Sequence, residues 1–322
     1  MLAHNFSARE PDMIRSGRDI SFSLLLSALR GITLWQPVAA YGISVALGMG
    51  IWELLDQQWQ QALPADVAGG AIFLASLGIG YLGSGRMLIH DAREEPIPGL
   101  LQSLLFGVRM LPRLLALMVM EGLLLFGIFI VEIVAFALCR IPGVGAWLTV
   151  VLIPVFMVAN ATLFTLAVIV FNLSGPALWH GEKVAKALQH TIRIARNRPG
   201  PVLLMMLLLS VLSTGVAIVI GFILYSGYAM TLASASPVLD GALSGDSIGL
   251  GGWLLQIFPG TGALSDNLPS APGHLAVLAQ IGQHVALVSA AALVFILPNI
   301  VFLLGMAHLY IEALELEAPE DV

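Results

Sequence analysis

Two glutamates, Glu121 and Glu132, interrupt the apolar stretch 111–139 of this 322-residue chain. A carboxylate at membrane depth is costly unless it is neutral, paired or facing water. Eleven residues is close to three helical turns, so both project from one face. Counted inward from the ends of their stretches, Glu121 and Asn160 lie about 15 and 18 Å deep at 1.5 Å per residue. Two readings follow. In one, a protonated Glu121 is hydrogen-bonded to Asn160 as a structural contact. In the other, Glu121 and Glu132 form a proton-coupling or cation-binding pair lining a polar cavity, joined by Asn299 of the last stretch.

Other motifs carry less chemistry. Gly78-Ile-Gly80-Tyr-Leu-Gly83 satisfies GxGxxG but sits inside an apolar run, with no preceding strand and no acidic residue for a ribose, so the dinucleotide reading fails. Small residues at Gly42, Ala46 and Gly50, and at Ser76, Gly80 and Ser84, recur every four positions and predict faces on which helices approach closely. His308 and Glu312, one turn apart, are expected at a membrane interface rather than on a metal. His284 and His308 lie near opposite ends of one helix and find no histidine partners at matching depth for a haem. Ser-His-acid groupings, HExxH and Walker loops do not stand out, and no metal, cofactor or catalytic residue is expected. Cys139, the single cysteine, cannot form an intrachain disulfide.

The elements that must position these groups follow from composition. Hydrophobic residues make up 58% of the chain and charged residues 11%, against about 25% charged in a soluble domain. The excess is arranged in runs near 37–55, 67–89, 111–139, 144–172, 200–232 and 277–312. A run of about 20 residues matches the roughly 30 Å hydrocarbon core. The prediction is an all-α membrane bundle of six transmembrane helices forming a single domain. The first 20 residues are polar and lack a signal-peptide pattern. Pro154 and Pro298 are expected to kink their helices.

Thirteen of the fourteen Lys and Arg residues precede the first run or lie around the second-to-third and fourth-to-fifth connections; Arg140 alone falls opposite. The positive-inside rule then places both termini and these connections in the cytoplasm of a bacterial inner membrane. The connection 233–276 has no Lys or Arg and is expected outside the cytoplasm, with Gly252-Trp253-Leu254-Leu255-Gln256-Ile257-Phe258 as an interfacial or re-entrant element. Residues 313–322 read as an acidic cytoplasmic tail.

Each basic segment leads into an odd-numbered span with a related pattern: Ser27 to Leu34, Ser103 to Met110 and Ala187 to Ile194, followed by Pro37, Pro112 and Pro199. The expectation is three copies of an amphipathic interfacial helix, a proline-marked turn and a helical hairpin. Arg109, Arg113, Lys183, Lys186, Arg193, Arg196 and Arg198 are the candidates for binding anionic lipid headgroups.

The segment Gly175-Pro-Ala-Leu-Trp-His-Gly-Glu-Lys-Val-Ala-Lys-Ala-Leu-Gln-His-Thr-Ile-Arg-Ile-Ala-Arg-Asn-Arg198, with Gly85-Arg86-Met87 and Asp91-Ala-Arg-Glu-Glu-Pro96, resembles uncharacterised bacterial six-span membrane proteins of the YciC type. It also resembles the membrane domain that precedes some glycerophosphodiester phosphodiesterases. The likeness covers roughly 80–230, implies a six-span fold and brings no catalytic residues. A short acidic tail after the last span leaves no phosphodiesterase domain, so that activity is not implied. The functional expectation is a transporter or lipid-handling protein. The alternatives are a scaffold or accessory subunit, as a homo-oligomer or in a membrane complex, and last a membrane enzyme. The expected partners are membrane lipids and not nucleic acid.

Overall fold

The computed structural model describes residues 23–58, 63–140, 145–235 and 273–317, and every regular element among them is helical. Helix α1 (Ser23–Leu29) and a 3-10 turn (Arg30–Thr33) lead into α2 (Trp35–Gln58). Then come α3 (Leu63–Ala92), α4 (Leu100–Ala137), α5 (Gly145–Trp179), the short α6 (Val184–Asn197), α7 (Pro199–Ala235) and α8 (Gly273–Glu317). Six of them, α2 to α5, α7 and α8, are long and apolar enough to cross a membrane, as the hydropathy predicts. The expected Trp253 element, the 1–20 segment and nearly all of the 233–276 loop lie outside the described residues, as does the side chain of His284.

Among the long helices the extensive contacts are α2 with α3, α3 with α4 and α7 with α8, and α4 meets α5 over a smaller area. Helix α8 runs through the middle: Ile300, Val301, Leu304, Ala307, Leu309 and Tyr310 are all fully buried, and its neighbours include α1, α2, α3, α5 and α7. The core lies toward the end of the bundle where α3 and α5 finish and α2 and α7 begin. On α4 the buried positions Ser103, Phe106, Gly107, Met110, Leu117 and Glu121 form one stripe, with the roughly 3.6-residue spacing of a helix face. That stripe stops at Glu121. Beyond it Leu123, Phe126, Phe129, Val131 and Phe136 are exposed, and the outer halves of α4 and α5 meet through Phe136 and Phe156, whose ring centroids are 5.3 Å apart. Such side chains are stable outside the core only where hydrocarbon is the solvent.

Several boundaries differ from the sequence reading. Helix α5 continues seven residues past 172, through Pro176 to Trp179. The turn expected at Pro112 is absent: α4 runs unbroken from Leu100, and the exposed Pro112 ring is carried within it. Its other two counterparts do follow breaks, after the 3-10 turn and after α6. Residues 313–317, expected in the tail, extend α8, and Ala313 is buried. Helices also continue through Pro154 and Pro298; the Pro298 carbonyl accepts a 2.7 Å hydrogen bond from Ser213 Oγ of α7.

Close approaches use small residues, though not all those foreseen. Ser76 and Gly80 of α3 do meet α2, but they meet Gly48 and Ser44. Gly42 instead faces Ile296 of α8, and Gly50 faces nothing within 4 Å. The face of α2 is set by where α8 packs, so it is rotated from the one the four-residue repeat marks. Three glycines are pressed onto backbone carbonyls of neighbouring spans: Gly31 onto Ile300 of α8, where an added Cβ would lie 3.3 Å from the oxygen, Gly83 onto Ser103 of α4, and Gly107 onto Ile79 of α3.

Candidate functional site

Glu121 is 5% exposed and accepts or shares a proton with Ser174 Oγ of α5 at 2.5 Å. Ser174 Oγ also lies 2.7 Å from the Val170 carbonyl one turn earlier. A serine has one proton to give. If it goes to the Val170 carbonyl, Glu121 must be the donor to Ser174; both bonds form together only when Glu121 is protonated. The hydroxyl of Tyr81 abuts Gly175, the residue after Ser174, and Tyr81 lies within electrostatic reach of both Glu121 and Tyr41. Tyr41 in turn accepts a 3.2 Å hydrogen bond from Asn299 Nδ2. Five helices, α8, α2, α3, α4 and α5, thus each contribute one polar side chain to a row across the bundle.

This geometry corrects the expected pairing. Asn160 is exposed and does not meet Glu121. The depth count took α5 to end at 172 and α4 to begin at 111, whereas α4 starts at Leu100 and α5 ends at Trp179. Those ends alone would still leave Glu121 and Asn160 level, 21 and 19 residues in; what separates them is that Glu121 meets Ser174, only five residues from the end of α5, so the first part of α4 projects past that end. Asn160 lies fourteen residues from Ser174, about 21 Å along the helix. Glu132 is half-buried in the outer half of α4, and no hydrogen bond or ion pair joins it to a described residue. Asn299 bonds to Tyr41 and not to either glutamate. The tyrosines and Ser174 escaped notice because hydropathy treats a buried hydroxyl as part of an apolar run; a hydroxyl level with Glu121 is the signal that marks them.

A second polar layer closes the helix ends. Asp91, at the end of α3, pairs with Arg30 at 3.3 Å, and His308 of α8 lies in the field of both. Each of α3 and α5 ends in a left-handed residue followed by a carboxylate. Glu94 (φ 58°) precedes Glu95, whose amide bonds the His90 carbonyl, and Gly181 (φ 90°) precedes Glu182, whose amide bonds the Ala177 carbonyl. These are Schellman caps. They aim Glu95 at His90, 2.9 Å away, and Glu182 at His190 of α6, 3.1 Å away. Tyr310 of α8 donates to the same Glu182 at 2.9 Å. Arg93 hydrogen-bonds His180 Nε2, and burial, reinforced by the Arg93 charge, holds His180 below the usual imidazole range. From Asp91 back to Tyr81 is ten residues, about 15 Å along the helix. The Glu121 row therefore lies about half a hydrocarbon thickness inside this layer.

The candidate headgroup residues divide by place. Helix α6 buries Ala187, Thr191, Ile194 and Ala195 and exposes Lys183, Lys186, Arg193 and Arg196, with Arg198 half-buried. Arg109 and Arg113 are exposed on α4, and Arg113 Nη1 lies 3.3 Å from Met110 Sδ. Among the described residues no three His, Cys, Asp or Glu side chains are grouped to hold a metal ion. Compared with protein-family models, curated proteins and solved structures, the chain matches none.

Proposed function

We propose that this is a bacterial inner-membrane protein, with both termini cytoplasmic, that transports or handles a membrane-borne substrate by means of a proton held on Glu121. The observation that carries this reading is the short Glu121–Ser174–Val170 chain of oxygens, satisfied throughout only by a protonated carboxyl. An ionisable residue at mid-bilayer depth, bonded to a neighbouring span and facing the bundle interior, is the usual setting of a proton relay. The exposed cations of α6 and of Arg109 and Arg113 would hold anionic headgroups at the cytoplasmic surface.

The three-copy repeat belongs to the same proposal. Its support is that Gly31 and Gly107 occupy the same place in two copies and each lies on the backbone of another span. Thr191, in that place in the third, is buried as well. Kinship with the YciC-type proteins rests on the sequence pattern of the same regions.

The experiment is Glu121→Gln in proteoliposomes and in cells. The amide preserves shape and hydrogen bonding but holds no exchangeable acid proton. The protonated-carboxyl band should vanish from the infrared spectrum, and the variant should fail to complement a deletion strain. Full complementation by Glu121→Gln overturns proton coupling. It would favour the second reading, a scaffold, for which the cationic face of α6 is the supporting observation.

A further inference from the structure

Glu132 of α4 and Asn160 of α5 make no hydrogen bond or ion pair among the described residues. The threonines beside Asn160 return to their own helix: Thr162 Oγ1 donates to the Val158 carbonyl and Thr165 Oγ1 to the Ala161 carbonyl, both at 2.9 Å. Glu132 and Asn160 lie inside the spans Leu100–Arg140 and Trp147–Trp179, at least eight residues, about 12 Å, from an end. Unlike Glu121, neither is enclosed by the bundle. From Gly122 to Arg140 on α4 and from Trp147 to Val168 on α5 no residue is buried. An unpaired carboxyl and an unpaired carboxamide facing hydrocarbon are each costly, so this stretch calls for a covering partner with polar groups of its own.

Their level decides what can cover them. The consecutive, antiparallel spans α4 and α5 touch at Phe136 and Phe156. Glu132 precedes Phe136 by four residues and Asn160 follows Phe156 by four, so both lie about 6 Å inward of that contact, at one depth. Lipid headgroups stay outside the hydrocarbon core and do not reach it. A closed dimer of copies inserted in one orientation has its two-fold axis along the membrane normal. Rotation about that axis preserves depth, so a residue can meet only residues of its own level in the other copy. Glu132 and Asn160 meet this condition for each other.

We propose that this chain forms a two-fold dimer through the outer halves of α4 and α5, with Glu132 of each copy bonded to the partner's Asn160. Such an interface is isologous, so it satisfies both polar groups of both copies at once. A neutral carboxyl and a carboxamide close a ring of two hydrogen bonds: the acid O–H donates to the amide oxygen, and the amide N–H donates to the acid carbonyl. Exposed Ile153, Met157 and Phe164 share the Asn160 face of α5 and supply the apolar surround. The inference makes no use of Glu121 or of lipid handling.

The test is energy transfer between full-length copies carrying donor or acceptor fluorophores at the C terminus, in phosphatidylethanolamine–phosphatidylglycerol liposomes at falling protein density. Wild type should dimerise. Glu132→Leu and Asn160→Leu should each weaken the dimer about tenfold, since both rings are lost. Glu132→Gln should retain it, because two amides form the same ring. The two leucine variants mixed together should recover transfer that neither shows alone: one ring is then complete and the other site is leucine against leucine. Neither substitution should change the melting of the diluted, monomeric protein. Wild type that stays monomeric overturns the inference, as do leucine variants that dimerise normally. Loss without recovery on mixing, or a destabilised monomer, would place the contact within one chain and overturn it as well.

Discussion

Replacing Ser174 by alanine tests whether the Glu121 carboxyl is held by a neighbouring helix. The substitution removes the hydroxyl 2.5 Å from Glu121 and leaves a 5%-exposed carboxyl without its partner. Interhelical hydrogen bonds in membrane proteins contribute about 0.6 kcal/mol on average and up to about 1.7 kcal/mol. A short, fully buried bond belongs at the upper end, so a loss of about 1.5 kcal/mol is expected, roughly a tenfold change in the folding equilibrium. Some of any loss comes from the bond between Ser174 and the Val170 carbonyl, which has nothing to do with Glu121. A double-mutant cycle removes that part. In a Glu121→Leu background, Ser174→Ala should cost only about 0.5 kcal/mol, leaving a coupling of about 1 kcal/mol assignable to the pair. The assay is SDS titration of folded protein in mixed micelles, followed by circular dichroism. Equal losses in the two backgrounds would refute the contact, and with it the argument that Glu121 must carry the proton.

Three other outcomes follow from the packing and the helix ends. Gly107→Ala drives a methyl into the Ile79 carbonyl and should destabilise by about 1–3 kcal/mol. Gly122→Ala on the same helix meets nothing within 4 Å and should gain up to about 1 kcal/mol from helix propensity; thermal melting of the two variants side by side checks both. Glu94→Gly relieves a left-handed glutamate in the α3 cap and should raise stability by about 1 kcal/mol in the same measurement. His180 is held below the ordinary imidazole range by burial and then by Arg93, so its neutral form is the one the fold favours. The unfolded chain binds that proton more readily. The associated stability is complete above about pH 6.5 and is lost as the pH falls through the lower, folded value. Melting curves on acidification from neutral pH should show wild type losing stability that His180→Gln does not lose, since a glutamine oxygen still accepts from Arg93 without titrating. Parallel losses in the two proteins would remove His180 as the cause.

What the sequence alone determined was set by quantities that add along the chain. Transfer of each residue to hydrocarbon is summed over a run, so six spans were legible from composition and length, and the distribution of Lys and Arg marked one end of them. The cost of a buried charge is also a single-residue quantity, and it singled out Glu121 without reference to any neighbour. The partner of Glu121 is a different kind of quantity. It depends on where α4 and α5 cross and how far each extends, and Gly175-Pro176, which reads as a break, is carried inside α5 to Trp179. The level at which the two helices cross, with α4 starting well beyond the end of α5, leaves Asn160 away and brings Ser174 in.

The same holds for the rest of the site. Tyr41 and Asn299 are 258 positions apart, and only the central placement of α8 against α2 brings them within hydrogen-bonding distance. Glu182 meets His190 and Tyr310 because a left-handed Gly181 turns the chain back at the end of α5. Hydropathy is one-dimensional and has no term for which face of a helix meets which neighbour. Packing decides that, and with it which polar groups share a layer about 15 Å below the helix ends, by the count of 1.5 Å per residue.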